Sequence, residues 1–108
     1  MSREDFLRTA TPHFIADVTF RTMKEGGKVR EARLGWGCLC VTSDTRPFAG
    51  WDAWPLLGEE PMNAGEHRRL GFHCLSDEGA RALATAGRFY LCEGAAVVGE
   101  AVVVATSA

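Results

Sequence analysis

The stretch over residues 88–104 constrains the fold of this chain more than any other part of its sequence. Two runs rich in aromatic and β-branched residues, 89–92 and 97–104, flank Gly94. Because glycine adopts a positive φ without steric cost, this pattern predicts a β-hairpin that turns at Gly94. The second run is apolar at nearly every position, which predicts a strand with little solvent on either face. Gly99 interrupts that run and predicts a bulge or a close backbone approach.

Several other segments have the residue alternation or composition of strands. Residues 29–34 are mostly charged, so we expect them at a sheet edge or at the rim of a long hairpin. Short turns between the segments, including one at residues 25–28, favour antiparallel pairing, and closing the sheet would remove its exposed edges. The predicted fold is therefore a small closed antiparallel β-barrel of about six strands. The additional strand segments are residues 13–21, 29–34, 38–42, 48–54 and 67–75.

One connection in this barrel is predicted to be a short helix. Ser76 is a suitable N-cap, the acidic residues after it suit a first turn, and residues 80–86 favour a helix that would end at Gly87. Residues 1–11 are mostly polar and are interpreted as a flexible N-terminal lead, in which Phe6 and Leu7 are the side chains able to contact the domain. The barrel domain itself is assigned to residues 12–108.

Both ends of the predicted barrel resemble the C-terminal β-barrel domain of elongation factor Tu. The resemblance covers residues 12–105 and implies the same fold as a stand-alone domain. The sequence contains no phosphate loop, so we expect neither GTP hydrolysis nor a nucleotide-dependent switch. The matching positions are Pro12-His13, Phe14, Ala16, Asp17-Val18, Glu25-Gly26-Gly27, Arg88-Phe89, Glu93-Gly94, Val98-Gly99 and Val102-Val103.

Composition and charge favour an ordinary cytoplasmic domain. The 108 residues are 46% hydrophobic and 24% charged, with a formal net charge of −2, so there is no overall electrostatic signature of nucleic-acid binding. Residues 1–10 lack the apolar core of a secretory signal, and no apolar run approaches the length of a membrane span. We therefore expect a cytoplasmic protein without a membrane partner.

The motif inventory favours a protein without catalytic activity or a bound cofactor. Neither a Gly-x-Ser-x-Gly nucleophile elbow nor a His-Glu-x-x-His zinc motif occurs. His13, His67 and His73 have no obvious partners in the sequence, and in a strand His73 would point away from the face used by Cys74. No catalytic, metal-binding or cofactor-binding residue is therefore predicted.

The four cysteines are predicted to be reduced and buried. Cys38 and Cys40 would share one face of a strand, about two residue rises of ~3.3 Å apart, whereas structural zinc sites usually have two-residue spacers. Cys74 and Cys92 are isolated in the sequence. A zinc or thiol protein that uses these four cysteines is kept as a third functional alternative.

The first functional hypothesis is binding to a protein partner or to a second copy of the chain. Tryptophan is enriched at interface anchors, and Trp51 and Trp54 lie in a stretch punctuated by proline and glycine. These two residues are the predicted partner-binding positions. Trp36 is instead expected to fill the barrel.

The second hypothesis is an RNA-binding module. The barrel of elongation factor Tu contacts aminoacyl-tRNA as well as a protein partner, and two positions of this chain, Lys28 and Gly94, match RNA-facing positions of that family. Other basic residues near the first hairpin could add phosphate contacts. The predicted RNA-binding set is Lys24, Lys28, Arg30, Arg33 and Gly94.

Overall fold

Six antiparallel strands close into a barrel, which confirms the predicted fold class. The computed structural model describes residues 2–106. Around the barrel the strands follow the order β1-β4-β3-β2-β5-β6, and β6 returns to pair with β1. The strands are β1 (Phe14–Phe20), β2 (Cys38–Val41), β3 (Gly50–Pro55), β4 (His67–Cys74), β5 (Arg88–Glu93) and β6 (Ala96–Thr106).

Alternate side chains of β1 point into the barrel and fill part of its core. Every second residue from Phe14 to Phe20 is buried, while the residues between them are more exposed. Inside the barrel the ring of Phe14 stacks on Phe72 at 5.3 Å and meets Phe89 edge-on at 5.7 Å. These aromatic pairs are favourable geometries that add to the burial of the rings, so the core is solid and contains no channel along this line of contacts.

The β5–β6 hairpin turns at Gly94, whose φ of 59° is the left-handed conformation that the sequence predicted. Its register shifts between Leu91 and Cys92, next to Gly99. A Cβ atom on Gly99 would lie 3.0 Å from the backbone oxygen of Thr19, so the predicted close approach is present. Burial on both faces of this strand is not observed, because Val102 and its alternate neighbours face solvent.

The helical connection is also as predicted. Helix α2 (Asp77–Ala86) begins after Ser76, whose Oγ accepts a hydrogen bond from the backbone N–H of Gly79 at 3.0 Å. It ends at Gly87, which has a φ of 77° and donates its N–H to the carbonyl oxygen of Leu83. Leu83 is buried against the barrel core, so α2 covers one end of it.

The predicted flexible lead is wrong for most of its length. Residues Arg3–Thr9 form helix α1, capped by Ser2, whose hydroxyl accepts the N–H of Asp5. Leu7 is buried, and Arg8 forms an ion pair with Glu59 at 2.8 Å. A seven-residue helix is marginal by itself, so its stability depends on these contacts with the barrel. Residues 1, 107 and 108 lie outside the described range.

Residues 29–34 form neither of the predicted arrangements, an edge strand or the rim of a long hairpin, because β1 pairs with β4 and β6 and not with β2. Only Ala32 pairs there, in an isolated bridge with Met62. The turn before it is a short 3-10 helix, Met23–Glu25, closed by Gly26 at a φ of 87°. The residues from 21 to 37 therefore form an irregular loop at one end of the barrel, and we call them the rim loop.

Candidate functional site

Two clefts meet at the barrel end that carries the rim loop. The first, here called the lysine cleft, has a volume of about 600 Å³ and is lined by rim-loop residues 26–31 together with Trp36, Glu93 and two residues of β6. The second, here called the tryptophan groove, has a volume of about 620 Å³ and runs along the outer wall of β2, β3 and β5. Trp36 and Glu93 line both of them, so the two clefts are adjacent.

A buried cation forms the floor of the lysine cleft. The side chain of Lys28 is 3% exposed, and its ammonium group donates a hydrogen bond to Oε2 of Glu93 at 2.6 Å. The same ammonium lies 4.7 Å from the ring centroid of Trp36, a favourable cation–π distance. The indole Nε1–H of Trp36 donates to the same Oε2 atom at 2.8 Å. Lys28, Trp36 and Glu93 are therefore one connected cluster.

The cluster also fixes the charge of Glu93. Partial burial raises the pKa of Glu93, but the hydrogen bonds from Lys28 and Trp36 and the nearby ammonium charge outweigh it, so its pKa is lowered. Glu93 is thus ionised at neutral pH and balances the buried ammonium. The charges of Lys28 and Glu93 therefore neutralise each other within the molecule.

The burial of Lys28 limits the phosphate contact predicted for it, and its RNA role stays a prediction. A lysine whose charge is buried and already paired does not reach a phosphate in solvent. The guanidinium of Arg33 is also paired, with Glu31, while Gly94 at the β5–β6 turn lines the tryptophan groove together with rim-loop residues Trp36 and Gly37. Lys24 and Arg30 are exposed. Of the predicted basic residues, Lys24 and Arg30 are therefore the ones left exposed without an ion pair in the described part of the chain, and RNA binding by the set stays a prediction.

The tryptophan groove is mainly apolar and is open to solvent. Leu39 and Trp54 form its walls, and Leu75 at its edge is 65% exposed, an unusual value for a large apolar side chain. Asp52 and Glu93 contribute the carboxylates of its lining. Leu39 lies directly opposite Asp52 and Cys92 in the β2 register, so the sheet itself determines the shape of the groove.

Contacts from three elements hold Trp54 in place. Its ring stacks on His73 of β4, with centroids 6.2 Å apart, and the guanidinium of Arg3 in α1 lies 5.7 Å from its centroid. Arg3 is itself anchored, because it donates to the backbone oxygen of Gly35 at 3.1 Å. Gly37 passes so close that a Cβ there would lie 2.9 Å from the indole nitrogen. The indole is therefore a rigid wall of the groove.

The two predicted partner-binding tryptophans do not share a surface. Both belong to strand β3, not to a loop, and residues three apart in a strand point to opposite faces. Trp51 packs against the barrel core and against α2, where a Cβ on Gly79 would lie 3.0 Å from its own Cβ. Only Trp54 lines the groove, and its role in binding stays a prediction.

A histidine pair that is not predicted from the sequence lies near this wall. The rings of His13 and His73 are 4.9 Å apart. The backbone N–H of Cys74 donates to Nδ1 of His13 at 3.0 Å, and Nδ1 of His73 donates to the backbone oxygen of Thr11 at 3.3 Å. Both rings are thus engaged with the backbone. Their proximity follows from the β1–β4 register, in which Phe14 lies opposite Phe72.

All four cysteines are buried and none forms a disulfide. The Sγ atoms of Cys38 and Cys40 are 3.8 Å apart. Their hydrogen bond and burial raise the pKa of Cys40, and burial raises the pKa of Cys74 to about 12. Such thiols are protonated at neutral pH and are weak nucleophiles and metal ligands. Within residues 2–106, no three or more His, Cys, Asp or Glu side chains come together in a way that could hold a metal ion.

Comparison with known proteins leaves the family of the chain open. Neither the models of known protein families nor the curated protein sequences contain a match to it. The likeness to the barrel of elongation factor Tu therefore stays a prediction. Among the helices described, none has the length and apolar character needed to cross a membrane.

Proposed function

We propose that this chain is a non-catalytic, protein-binding module of the kind found at the C-terminus of elongation factor Tu, and that it acts in the cytoplasm. The observation that carries the proposal is the tryptophan groove. It combines a fixed indole, Trp54, with exposed Leu75 on a rigid sheet surface. Interfaces are typically built around such aromatic anchors with apolar neighbours.

The contacts of the groove explain why it suits a protein segment. Its walls are the outer faces of paired strands, so a partner would meet them already in position and would lose little binding energy to ordering them. Covering Leu75 and the free part of the Trp54 ring would remove apolar surface from water, at about 25 cal/mol per Å². These are the terms that favour association of proteins.

The non-catalytic part of the proposal is supported by the state of the nucleophiles and bases. The thiols of Cys40 and Cys74 have raised pKa values and lie in the core. The imidazoles of His13 and His73 are hydrogen-bonded to backbone groups, and neither lines the groove. Among the described residues that line it, the groove therefore offers contact surface and no reactive pair.

Capture of partners from an extract of the source cells tests this function. The immobilised wild-type chain is compared with Leu75→Ser and Trp54→Ala, and each captured protein is purified and titrated calorimetrically. We expect Leu75→Ser to weaken binding by about tenfold, because a large apolar contact at the edge of the groove is lost. Leu75 is exposed, so this variant should remain folded, which its thermal melting curve checks.

Val104→Ser is the matched control. Val104 is an exposed apolar residue of β6, which is not among the strands lining the groove, and its substitution should leave binding unchanged. Equal recovery of the same proteins by wild type, Leu75→Ser and a folded Trp54→Ala would contradict the proposed surface. Failure of the wild type to capture any protein above the level of the bare matrix would contradict the function.

A further inference from the structure

The rim loop carries apolar side chains that the barrel does not use. Val29 is 83% exposed and Met23 is 58% exposed, although both are large hydrophobic residues. Val29 lines the lysine cleft, which adjoins the tryptophan groove through Trp36 and Glu93. Both side chains therefore leave apolar surface of the rim loop uncovered by the barrel.

Around the rim loop, the acidic side chains are engaged in contacts within the molecule, whereas some of the cationic ones are not. Residues 21–33 contain five cationic and two acidic side chains, whereas the whole chain has a net charge of −2. The acid Glu25 accepts the backbone N–H of Thr22 at 2.9 Å, and Glu31 is paired with Arg33. Glu93, the acid that faces the loop from β5, is paired with Lys28. The local acids are therefore all engaged within the molecule.

Three of these five cations, Arg21, Lys24 and Arg30, form no ion pair within the described residues. Arg21 is half-buried, whereas Lys24 and Arg30 are exposed. They alternate along the loop with the exposed apolar residues Met23 and Val29. The loop thus presents positive charge and apolar surface together.

We propose that the rim loop recognises an acidic segment of a partner protein that also carries apolar side chains. This inference rests on the proposed function and names the chemistry of the partner. Carboxylates of the segment would pair with Lys24 and Arg30, and its apolar side chains would cover Met23 and Val29. Complementary charge would determine the association rate and the choice of partner, and apolar contact would slow dissociation.

The same observations favour a protein over RNA. Phosphate recognition depends on several converging cations, and only two of the four predicted ones are unpaired here. An RNA backbone would also leave Val29 and Met23 uncovered, because phosphates and sugars offer little apolar contact. Methionine is in contrast common at adaptable protein-binding surfaces.

A displayed library of random peptides, selected on the purified full chain, tests the inference. We expect enrichment of peptides that combine Asp or Glu with large apolar residues. For a synthetic peptide from that selection, Lys24→Glu/Arg30→Glu should weaken binding by more than about tenfold and reduce its dependence on salt. Met23→Ser/Val29→Ser should weaken it by about tenfold with the salt dependence unchanged. All four positions are exposed, so folding should be preserved.

Arg81→Glu/Arg88→Glu is the matched charge control. It changes the net charge by the same amount as Lys24→Glu/Arg30→Glu, on exposed residues of α2 and β5 outside the rim loop. This variant should bind the peptide with less than about a twofold change. An equal loss of affinity in both double variants would show a general charge effect and would overturn the inference.

The remaining outcomes separate the inference from the proposed function. Enrichment of basic or uncharged peptides would overturn the inference without contradicting the proposed function. Unchanged peptide affinity in both rim-loop variants would do the same. Transfer RNA that binds at low salt, is lost in Lys24→Glu/Arg30→Glu and is unaffected in Met23→Ser/Val29→Ser assigns the loop to RNA and also overturns it. If the selection enriches no peptides, the inference is overturned but the proposed function is not, because capture from extract tests the function independently.

Discussion

The lysine cleft and the tryptophan groove share Trp36 and Glu93 but use their polar groups in opposite ways. In the lysine cleft, the ammonium of Lys28 is buried and its charge is balanced by Glu93, which also accepts the indole N–H of Trp36. In the groove, Leu75 is exposed and Asp52 is open to solvent. The first cleft therefore uses its interactions to hold the rim loop, whereas the second keeps its surface free for another molecule.

The largest effect that tests this comparison is expected from a substitution in the backbone-packed part of the rim loop, at Gly27. A Cβ on Gly27 would lie 2.0 Å from the backbone oxygen of Arg21, which cannot move without shifting the loop. We expect Gly27→Ala to lower the free energy of unfolding by about 3 kcal/mol, the upper end of the cost of overpacking. Urea denaturation followed by tryptophan fluorescence measures the change.

The neighbouring glycine supplies the control. Gly26 has a φ of 87°, but no atom lies within 4 Å of a Cβ placed there. Gly26→Ala should therefore cost only the strain of the left-handed backbone, about 1 kcal/mol. If Gly26→Ala were as harmful as Gly27→Ala, close contact with Arg21 would not be what holds the loop.

The ion pair of the lysine cleft should respond asymmetrically to loss of either partner. Glu93→Ala leaves the ammonium of Lys28 buried without its acceptor, and we expect a loss of about 2 kcal/mol in the free energy of unfolding, reduced from the fully buried case because Glu93 is partly exposed. Lys28→Met leaves a carboxylate that water can reach, and should cost less than about 1 kcal/mol. Urea denaturation at neutral pH measures both variants.

The order of these two losses is the informative result. A larger loss for Lys28→Met than for Glu93→Ala would mean that the contact of the lysine ammonium with the Trp36 ring outweighs its pairing with Glu93. The lysine cleft would then depend mainly on contact with an indole ring, as the wall of the tryptophan groove does. The contrast between the two clefts would fail at that point.

Local signals explain why much of the fold could be predicted from the sequence. The alternation of β1, the cap at Ser76 and the turn at Gly94 each depend on residues close together in the chain. The rim loop and α1 were predicted incorrectly because distant residues determine them. Ala32 pairs with Met62, and α1 depends on burial of Leu7 and on the contact of Arg8 with Glu59.

The candidate site was less predictable for the same reason. Lys28 and Glu93 are 65 positions apart, so nothing near Lys28 in the sequence indicates that its charge is buried. The placement of Trp51 and Trp54 on opposite faces could be predicted from the sequence, since the predicted strand over residues 48–54 already implies it.

Acid should weaken the lysine cleft by a smaller amount than either substitution. The pKa of Glu93 is lowered in the folded chain, so the unfolded chain binds the proton more readily, and the stabilisation by Glu93 is lost as the pH falls below its ordinary value near 4.5. We therefore expect the urea midpoint of the wild type to change little between pH 6 and about pH 5 and to fall from there to about pH 3. Glu93→Gln, which is uncharged throughout this range, should have a lower midpoint at pH 6 and a shallower decline.

Asp17, Glu25 and Glu66 also have lowered pKa values and continue to titrate in both proteins, so the difference between the two curves isolates Glu93. Parallel curves would mean that the charge of Glu93 contributes nothing to holding Lys28 in the cleft.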